Sequence, residues 1–155
     1  MSNLLVQESN SLKTGRLILI DSCIYVEDKK CHGRILTTLA GKIGHYNLQL
    51  VVPRIVIYEV SKVTSTNSEL VVKRIQKIFG TYLTIETENE IITESKKLET
   101  KYYEVHSADS IILATARIAG AILVTMDRKL RRAAELEGVE TYSLKDFTNN
   151  WRVIA

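Results

Sequence analysis

Four acidic residues have the types and the spacing of a carboxylate site: Asp21, Glu59, Asp109 and Asp127. They are separated by 38, 50 and 18 residues, and each follows a predicted strand or lies in a predicted helix. Two carboxylates about 4 Å apart repel each other by about 4 kcal/mol at an effective dielectric constant of 20, so a cluster must share protons or hold a cation. Oxygen ligands of this kind suit Mg²⁺ or Mn²⁺, ions that assist phosphodiester cleavage.

A predicted apolar helix positions Asp109. Ser107 is predicted as its N-cap, Asp109 falls in its first turn, where the helix dipole favours a carboxylate, and Gly120 is predicted to end it. The apolar run at 121–125 is typical of a buried parallel strand, which delivers Asp127. We therefore expect Asp109 and Asp127 at one edge of a sheet, where open α/β folds keep their sites.

Alternating strand and helix patterns predict the rest of the chain. Further strands are predicted at 16–20, 49–52, 82–85 and 139–142, further helices at 22–46, 54–63, 70–79, 87–101 and 128–137, and a capped final turn at 143–147. The alternation is typical of a three-layer α/β/α domain with a mostly parallel central sheet. We predict this domain at 16–148, with a flexible arm at 1–15, whose residues 4–6 could join an edge or an interface, and a C-terminal tail at 149–155.

The composition is that of an ordinary globular protein. A length of 155 residues indicates a single domain, and 45% hydrophobic and 25% charged residues are typical of a soluble protein. No apolar run approaches the roughly 18 residues of a membrane span, which predicts a cytoplasmic protein with no membrane contact. Two cysteines are too few for a disulfide scaffold, and a net charge of +3 permits a nucleic-acid partner without requiring one.

Four short motifs, in this order, resemble a PIN domain. They are Leu-Ile-Asp-Ser at 19–22, Pro-Arg-Ile-Val-Ile-Tyr-Glu-Val at 53–60, Ala-Asp-Ser-Ile-Ile-Leu-Ala-Thr-Ala at 108–116 and Leu-Val-Thr-Met-Asp at 123–127. The resemblance covers roughly residues 16–147. It implies an endoribonuclease that depends on Mg²⁺ or Mn²⁺, most often the toxin of a VapBC-type toxin and antitoxin pair.

The same resemblance assigns roles to individual residues. The first three acids match the main acids of the family, and Asp127 matches its more variable fourth. Ser22 and Thr125 match positions where members often place a hydroxyl beside the metal site, although a helix cap for Ser22 and strand packing for Thr125 are equal alternatives. The resemblance also implies a homodimer and, for a toxin, an antitoxin segment that blocks the acidic groove. The arm before residue 16 departs from the compact form of such toxins.

Each acid also has a structural explanation when it is considered alone. Asp21 and Asp127 could cap the helices that follow them, and Asp109 could serve only the dipole of its own helix. Glu59 could pair with Lys62 at the i+3 position. Four such coincidences at one sheet edge are less probable than a single site.

A basic run follows the last acid and consists of Arg128, Lys129, Arg131 and Arg132. Its side chains could bind phosphate at the mouth of the site or form a solvated helix face. Tyr102, Tyr103 and His106 precede Asp109 and could stack on unpaired bases, although packing between helices explains the tyrosines better.

Other functional classes fit less well. A dinucleotide-binding protein needs a glycine-rich turn after its first strand, and residues 21–26 read Asp-Ser-Cys-Ile-Tyr-Val instead. A PIN-like nuclease that processes RNA outside a toxin pair is one alternative. A non-catalytic α/β module that binds RNA or protein is the other, because acids can persist in a fold that has lost its activity.

Overall fold

A six-stranded sheet forms the centre of the protein. The computed structural model describes residues 5–6, 15–105 and 107–154. The strands are β1 (Leu5–Val6), β2 (Leu17–Ile20), β3 (Gln49–Pro53), β4 (Leu83–Ile85), β5 (Ile122–Val124) and β6 (Thr141–Tyr142), in the spatial order β1-β4-β3-β2-β5-β6. Strands β2 to β6 are parallel, and β1 pairs antiparallel with β4.

Eight helices in the described ranges flank this sheet. They are α1 (Ser22–Lys30), α2 (Arg34–His45), α3 (Arg54–Thr64), α4 (Ser68–Phe79), α5 (Asn89–Lys101), α6 (Ala108–Ala119), α7 (Arg128–Leu136) and α8 (Leu144–Ile154). The predicted three-layer α/β/α fold with a mostly parallel sheet is confirmed.

The central strand β2 anchors the core. Ile18, Leu19 and Ile20 are fully buried between β3 and β5, because both faces of a parallel sheet are covered by helices. Burial of each such side chain stabilises the fold by about 1.5–3 kcal/mol. Asp21 follows this strand directly, so its backbone is held in a fixed position.

The helical pattern predicted at 22–46 is interrupted in the structure. Helices α1 and α2 are separated at His32 and Gly33, which both have left-handed backbone, with φ angles of 55° and 87°. The buried Asp28 carboxylate accepts a hydrogen bond from the backbone N–H of Leu36 at 2.9 Å, which holds the second helix against the first. The single predicted helix was therefore wrong at this turn.

The ends of the chain differ from the simplest expectation. Of the arm predicted at 1–15, Leu5–Val6 forms the edge strand β1, Gly15 precedes β2, and residues 1–4 and 7–14 lie outside the described part. The final turn predicted at 143–147 is only the start of α8, so most of the predicted tail at 149–155 is helical. The Ser143 hydroxyl accepts a hydrogen bond from the backbone N–H of Asp146 at 3.0 Å and so supports the start of this helix.

Candidate active site

The carboxyl ends of β2 and β5 bring the first site residues together. The backbone N–H of Asp21 donates to the carbonyl of Val124 at 2.9 Å, which continues the pairing of the two strands to their ends. The next residue after β5 is Thr125, which is fully buried. Parallel strands end at the same edge of a sheet, so residues that are distant in the sequence become neighbours here.

Asp21 is a buried carboxylate that is surrounded by neutral donors. It is 2% exposed. Its Oδ2 accepts a hydrogen bond from the Thr125 hydroxyl at 2.6 Å and one from the Cys23 thiol at 3.2 Å. Although Asp21 occupies the N-cap position of α1, its side chain forms no capping hydrogen bond, which excludes a simple capping role.

Burial raises the pKa of Asp21 above its usual range. The hydrogen bonds from Thr125 and Cys23 act in the opposite direction, and the nearby charge of Asp127 raises the pKa further. Among the side chains that the structure describes, no lysine or arginine pairs with Asp21. Its negative charge therefore lacks a counter-charge from this part of the protein.

Thr125 connects two of the acids. Its hydroxyl oxygen accepts a hydrogen bond from the backbone N–H of Asp127 at 3.0 Å and donates its proton to Asp21. Because both interactions fix the same oxygen, the Thr125 rotamer and the orientation of the Asp21 carboxylate are set together. This role goes beyond the packing of a strand residue.

Ser22 connects Asp21 to Glu59. The Ser22 hydroxyl donates to Glu59 Oε1 at 2.7 Å and lies 3.5 Å from Asp21 Oδ1. A hydroxyl has one proton, so the shorter contact is the hydrogen bond. Glu59 is partly buried on α3, and in the described part of the chain it forms no ion pair with Lys62. The alternative explanation of Glu59 as a partner of Lys62 is therefore not supported.

Asp127 combines a structural role with a position near the site. Its Oδ1 accepts hydrogen bonds from the backbone N–H groups of Lys129 and Leu130, at 2.9 and 3.2 Å, and so caps α7. Asp127 therefore caps the helix that follows it, as its structural explanation predicted. Its charge nevertheless acts on Asp21, so the two roles coexist.

Asp109 lies partly buried in the first turn of α6, as the sequence predicts. Strand β5 begins just after this helix ends at Gly120, whose left-handed backbone has a φ angle of 67°. Because α6 therefore runs opposite to β5, its first turn lies toward the edge where β5 ends. This places Asp109 at the same end of the sheet as Asp127.

The start of α6 is not capped as predicted. Ser107 precedes the helix but forms no capping hydrogen bond with its side chain. Instead, the Glu99 carboxylate on α5 accepts from the backbone N–H of Ser107 at 2.8 Å, while the Ser110 hydroxyl, 3.1 Å from Glu99, donates to the carbonyl of Ser107 at 2.7 Å. A carboxylate from a neighbouring helix thus binds the backbone N–H of the residue at the N-cap position and ties the start of α6 to α5.

Hydrogen bonds link Asp21 to Asp127 through Thr125 and hold Glu59 on Ser22, the residue next to Asp21. Within the described ranges, no three side chains of His, Cys, Asp or Glu are grouped closely enough to hold a metal ion. The side chains that could ligate a metal here are carboxylates and hydroxyls, and hard divalent cations prefer such oxygen ligands. A cation would also supply the counter-charge that Asp21 lacks, so the chemistry of these residues fits such an ion.

Two contributors were missed by sequence reasoning. Cys23 contacts Asp21, and Glu99 shapes the start of α6. Cys23 follows Asp21 by two residues at the start of a predicted helix, so a contact could have been expected. Glu99 gave no local signal, because its partners lie in the next helix.

The residues of the basic run and the aromatic residues before Asp109 have different surroundings in the structure. Lys129 and Arg132 line a surface groove together with Tyr103. Tyr102 packs against the core and donates a hydrogen bond to Glu137, so packing explains it. The prediction for His106 lies outside the described residues.

The fold is that of a PIN-type domain. The sequence profile of the PIN domain family matches residues 18–136, so the chain belongs to this family, whose members are generally nucleases. A comparison with curated proteins finds no match. Within the described ranges, no helix is both long and apolar enough to cross a membrane.

Solved structures share this fold at low sequence identity. The VapBC2 structure from Rickettsia felis, bound to a DNA fragment from the promoter, contains a chain that is 16% identical, with a TM-score of 0.65. VapBC-1 from nontypeable Haemophilus influenzae is 18% identical, with a TM-score of 0.62, and PAE2754 from Pyrobaculum aerophilum is 13% identical, with a TM-score of 0.58. The matches cover 82%, 83% and 90% of this chain and 98% of each of the others.

Proposed function

We propose that this protein is an endoribonuclease that depends on Mg²⁺ or Mn²⁺ and acts as the toxin of a VapBC-type pair. The observation that carries the proposal is the buried Asp21 carboxylate, which has neutral donors and other acids around it but no basic partner among the described side chains. Such a carboxylate is costly to bury in its charged form unless a cation binds beside it. The resemblance of the fold to chains of VapBC complexes supports the toxin role.

In this proposal the acids have different roles. Asp21 and Asp109 hold the principal ion, and Asp127 contributes at the periphery because its Oδ1 already caps α7. When bound, the ion supplies positive charge that polarises the scissile phosphate and lowers the pKa of water. Thr125 and Ser22 hold the carboxylates of Asp21 and Glu59 in fixed orientations.

Glu59 is the best placed base within this group. Its carboxylate is only partly buried, and its Oε1 is held by Ser22. In the proposed reaction Glu59 orients the attacking water and accepts its proton, a role that needs a carboxylate within hydrogen-bond reach of that water. The phosphodiester oxygen leaves with a proton from solvent.

The proposed partners follow from the same role. The substrate is RNA, the active form is a homodimer, and an antitoxin covers the acids in the cytoplasm until it is removed. A non-catalytic binding module is the second candidate, and it is favoured by the absence of a group of three metal-binding side chains in the part of the chain that is described.

Cleavage of single-stranded RNA by the purified protein tests the proposal. We expect cleavage with Mg²⁺ or Mn²⁺, none with excess chelator, and a loss of at least about a hundredfold in Asp21→Asn, on the scale of other losses of electrostatic stabilisation. Asp146→Asn, at an exposed position in α8, is the matched control and should retain activity. A wild-type protein that binds RNA but never cleaves it would support the non-catalytic module.

A further inference from the structure

A surface groove of about 210 Å³ lies between the segment that follows α5 and helix α7. One wall is formed by the segment after α5 and includes Tyr103 and Glu104, and the other is formed by α7 and includes Lys129, Arg132 and Leu136. The groove therefore combines an aromatic wall with a basic wall, which is the combination that single-stranded nucleic acids require.

Tyr103 presents its ring to solvent. It is 86% exposed, which is unusual for a large aromatic side chain. Its neighbour Tyr102 differs, because it is bound to Glu137 and lies with its ring centroid 5.5 Å from the Lys101 ammonium. Packing therefore accounts for Tyr102 and does not account for Tyr103.

Two of the three cations that line the groove, Lys129 and Arg132, lie on α7. Lys129 and Arg132 are three residues apart, so they lie on the same face of the helix. Both are exposed, and neither forms an ion pair with a side chain in the described ranges. Lys101, in contrast, is 2.8 Å from Glu137, which offsets its charge.

Both walls are close in the chain to candidate acids. Lys129 follows Asp127 by two residues and its backbone N–H donates to that carboxylate, and Tyr103 precedes Asp109, in the first turn of α6, by six residues. With a rise of 1.5 Å per residue, Arg132 lies about 5 Å further along α7 than Lys129. A strand that leaves the acids through this groove would pass both cations in turn.

We propose that this groove binds the single strand next to the scissile phosphate, with a base stacked on Tyr103 and phosphates bound by Lys129 and Arg132. The proposal rests on the nuclease function proposed above. Glu104 lies on the same wall as Tyr103 and repels phosphate, so the backbone follows α7 and the base turns toward Tyr103. Bases of a duplex are stacked within the helix and do not reach the ring, so the groove selects unpaired RNA.

Binding of a short fluorescent single-stranded RNA to the full-length Asp21→Asn protein tests the stacking role, because this substitution prevents cleavage. We expect Tyr103→Ala to weaken binding about tenfold and Tyr103→Phe to bind as tightly as the parent, because stacking needs the ring and not the hydroxyl. Binding to duplex RNA should be the same in all three proteins. Tyr58→Ala is the matched control, since Tyr58 is 59% exposed on α3 and lies outside the groove.

The salt dependence of binding tests the phosphate contacts. Lys129→Ala and Arg132→Ala should each reduce the slope of log K against log salt concentration by about 0.7, the value expected for one phosphate contact with a single strand. Lys77→Ala, at an exposed position on α4, should leave the slope unchanged.

Several results would overturn the groove proposal. The proposal fails if Tyr103→Ala binds the single strand within twofold of the parent, or if it weakens binding of duplex and single strand equally. A change of oligomeric state in Tyr103→Ala without a change in RNA binding would identify the groove as a protein interface. Failure of the nuclease function is distinguishable, because it appears as a wild-type protein that does not cleave while Tyr103 and the two cations still determine binding.

Discussion

Two buried carboxylates on or beside α1 have opposite surroundings. Asp21 and Asp28 are seven residues apart, and they are 2% and 0% exposed. Asp28 accepts hydrogen bonds from the backbone N–H of Leu36 at 2.9 Å and from the Arg74 guanidinium at 2.7 Å. Asp21 has only neutral donors among its described partners, and another carboxylate acts on it.

The difference separates a structural acid from a candidate ligand. Asp28 joins α1, α2 and α4 through a complete set of partners, so its charge is balanced within the fold. The charge of Asp21 is balanced only if a proton or a cation is added. Burial alone therefore does not identify a functional acid, whereas burial without a basic partner does.

The largest expected change in stability is at Asp28. Asp28→Asn should reduce the free energy of unfolding by about 2–3 kcal/mol, because it removes the negative charge that pairs with Arg74 and places an amide donor against either the Arg74 guanidinium or the Leu36 N–H. Urea unfolding in chelator measures this loss. Glu27→Gln, which removes only a surface contact to Lys30 at 3.7 Å, is the control and should cost less than about 1 kcal/mol. Equal losses in both variants would remove the distinction between the two buried acids.

Asp21→Asn should have a smaller effect on stability, and of opposite sign. In chelator at pH 7 we expect the free energy of unfolding to increase on the order of 1 kcal/mol, because the substitution removes one of two charges that repel each other. The raised pKa of Asp21 means that the folded state binds the carboxyl proton more tightly than the unfolded state does. The wild type therefore loses stability as the pH rises from the pKa of Asp21 in the unfolded state through its higher pKa in the folded state. The advantage of the variant should therefore vanish at low pH. A variant that is less stable than the wild type at pH 7 would make Asp21 a structural acid.

The smallest effect on stability is expected at Asp127. Asp127→Asn should change it by less than about 0.5 kcal/mol, because asparagine caps helices as well as aspartate does. Calorimetric titration with Mn²⁺ should show binding that persists in Asp127→Asn, is lost in Asp21→Asn and Asp109→Asn, and is intermediate in Glu59→Gln. If Asp127→Asn loses Mn²⁺ binding as completely as Asp109→Asn, the division between central and peripheral acids is wrong.

The placement of the acids was predictable, and their partners were not. Strand and helix patterns placed Asp21 after a central strand and Asp109 in the first turn of a helix, since these positions depend on local sequence. The hydrogen bond between Thr125 and Asp21 joins residues 104 positions apart, so only the fold reveals it. The same holds for Arg74, which lies 46 residues after Asp28 and makes that acid structural. The sequence singles out Asp21 by its place after a central strand, but it does not reveal that Asp28 is buried as well and paired with Arg74.

The pairing of β1 with β4 has a consequence for the handling of this protein. Leu5 and Val6 occupy the outer side of β4, opposite Ile85 and Thr84, and so cover one edge of the sheet. Removal of the first ten residues would leave a row of backbone amides and carbonyls open on β4, which is a template for strand addition between molecules. A shortened chain is therefore expected to aggregate more readily, and an affinity tag is better attached at the other terminus.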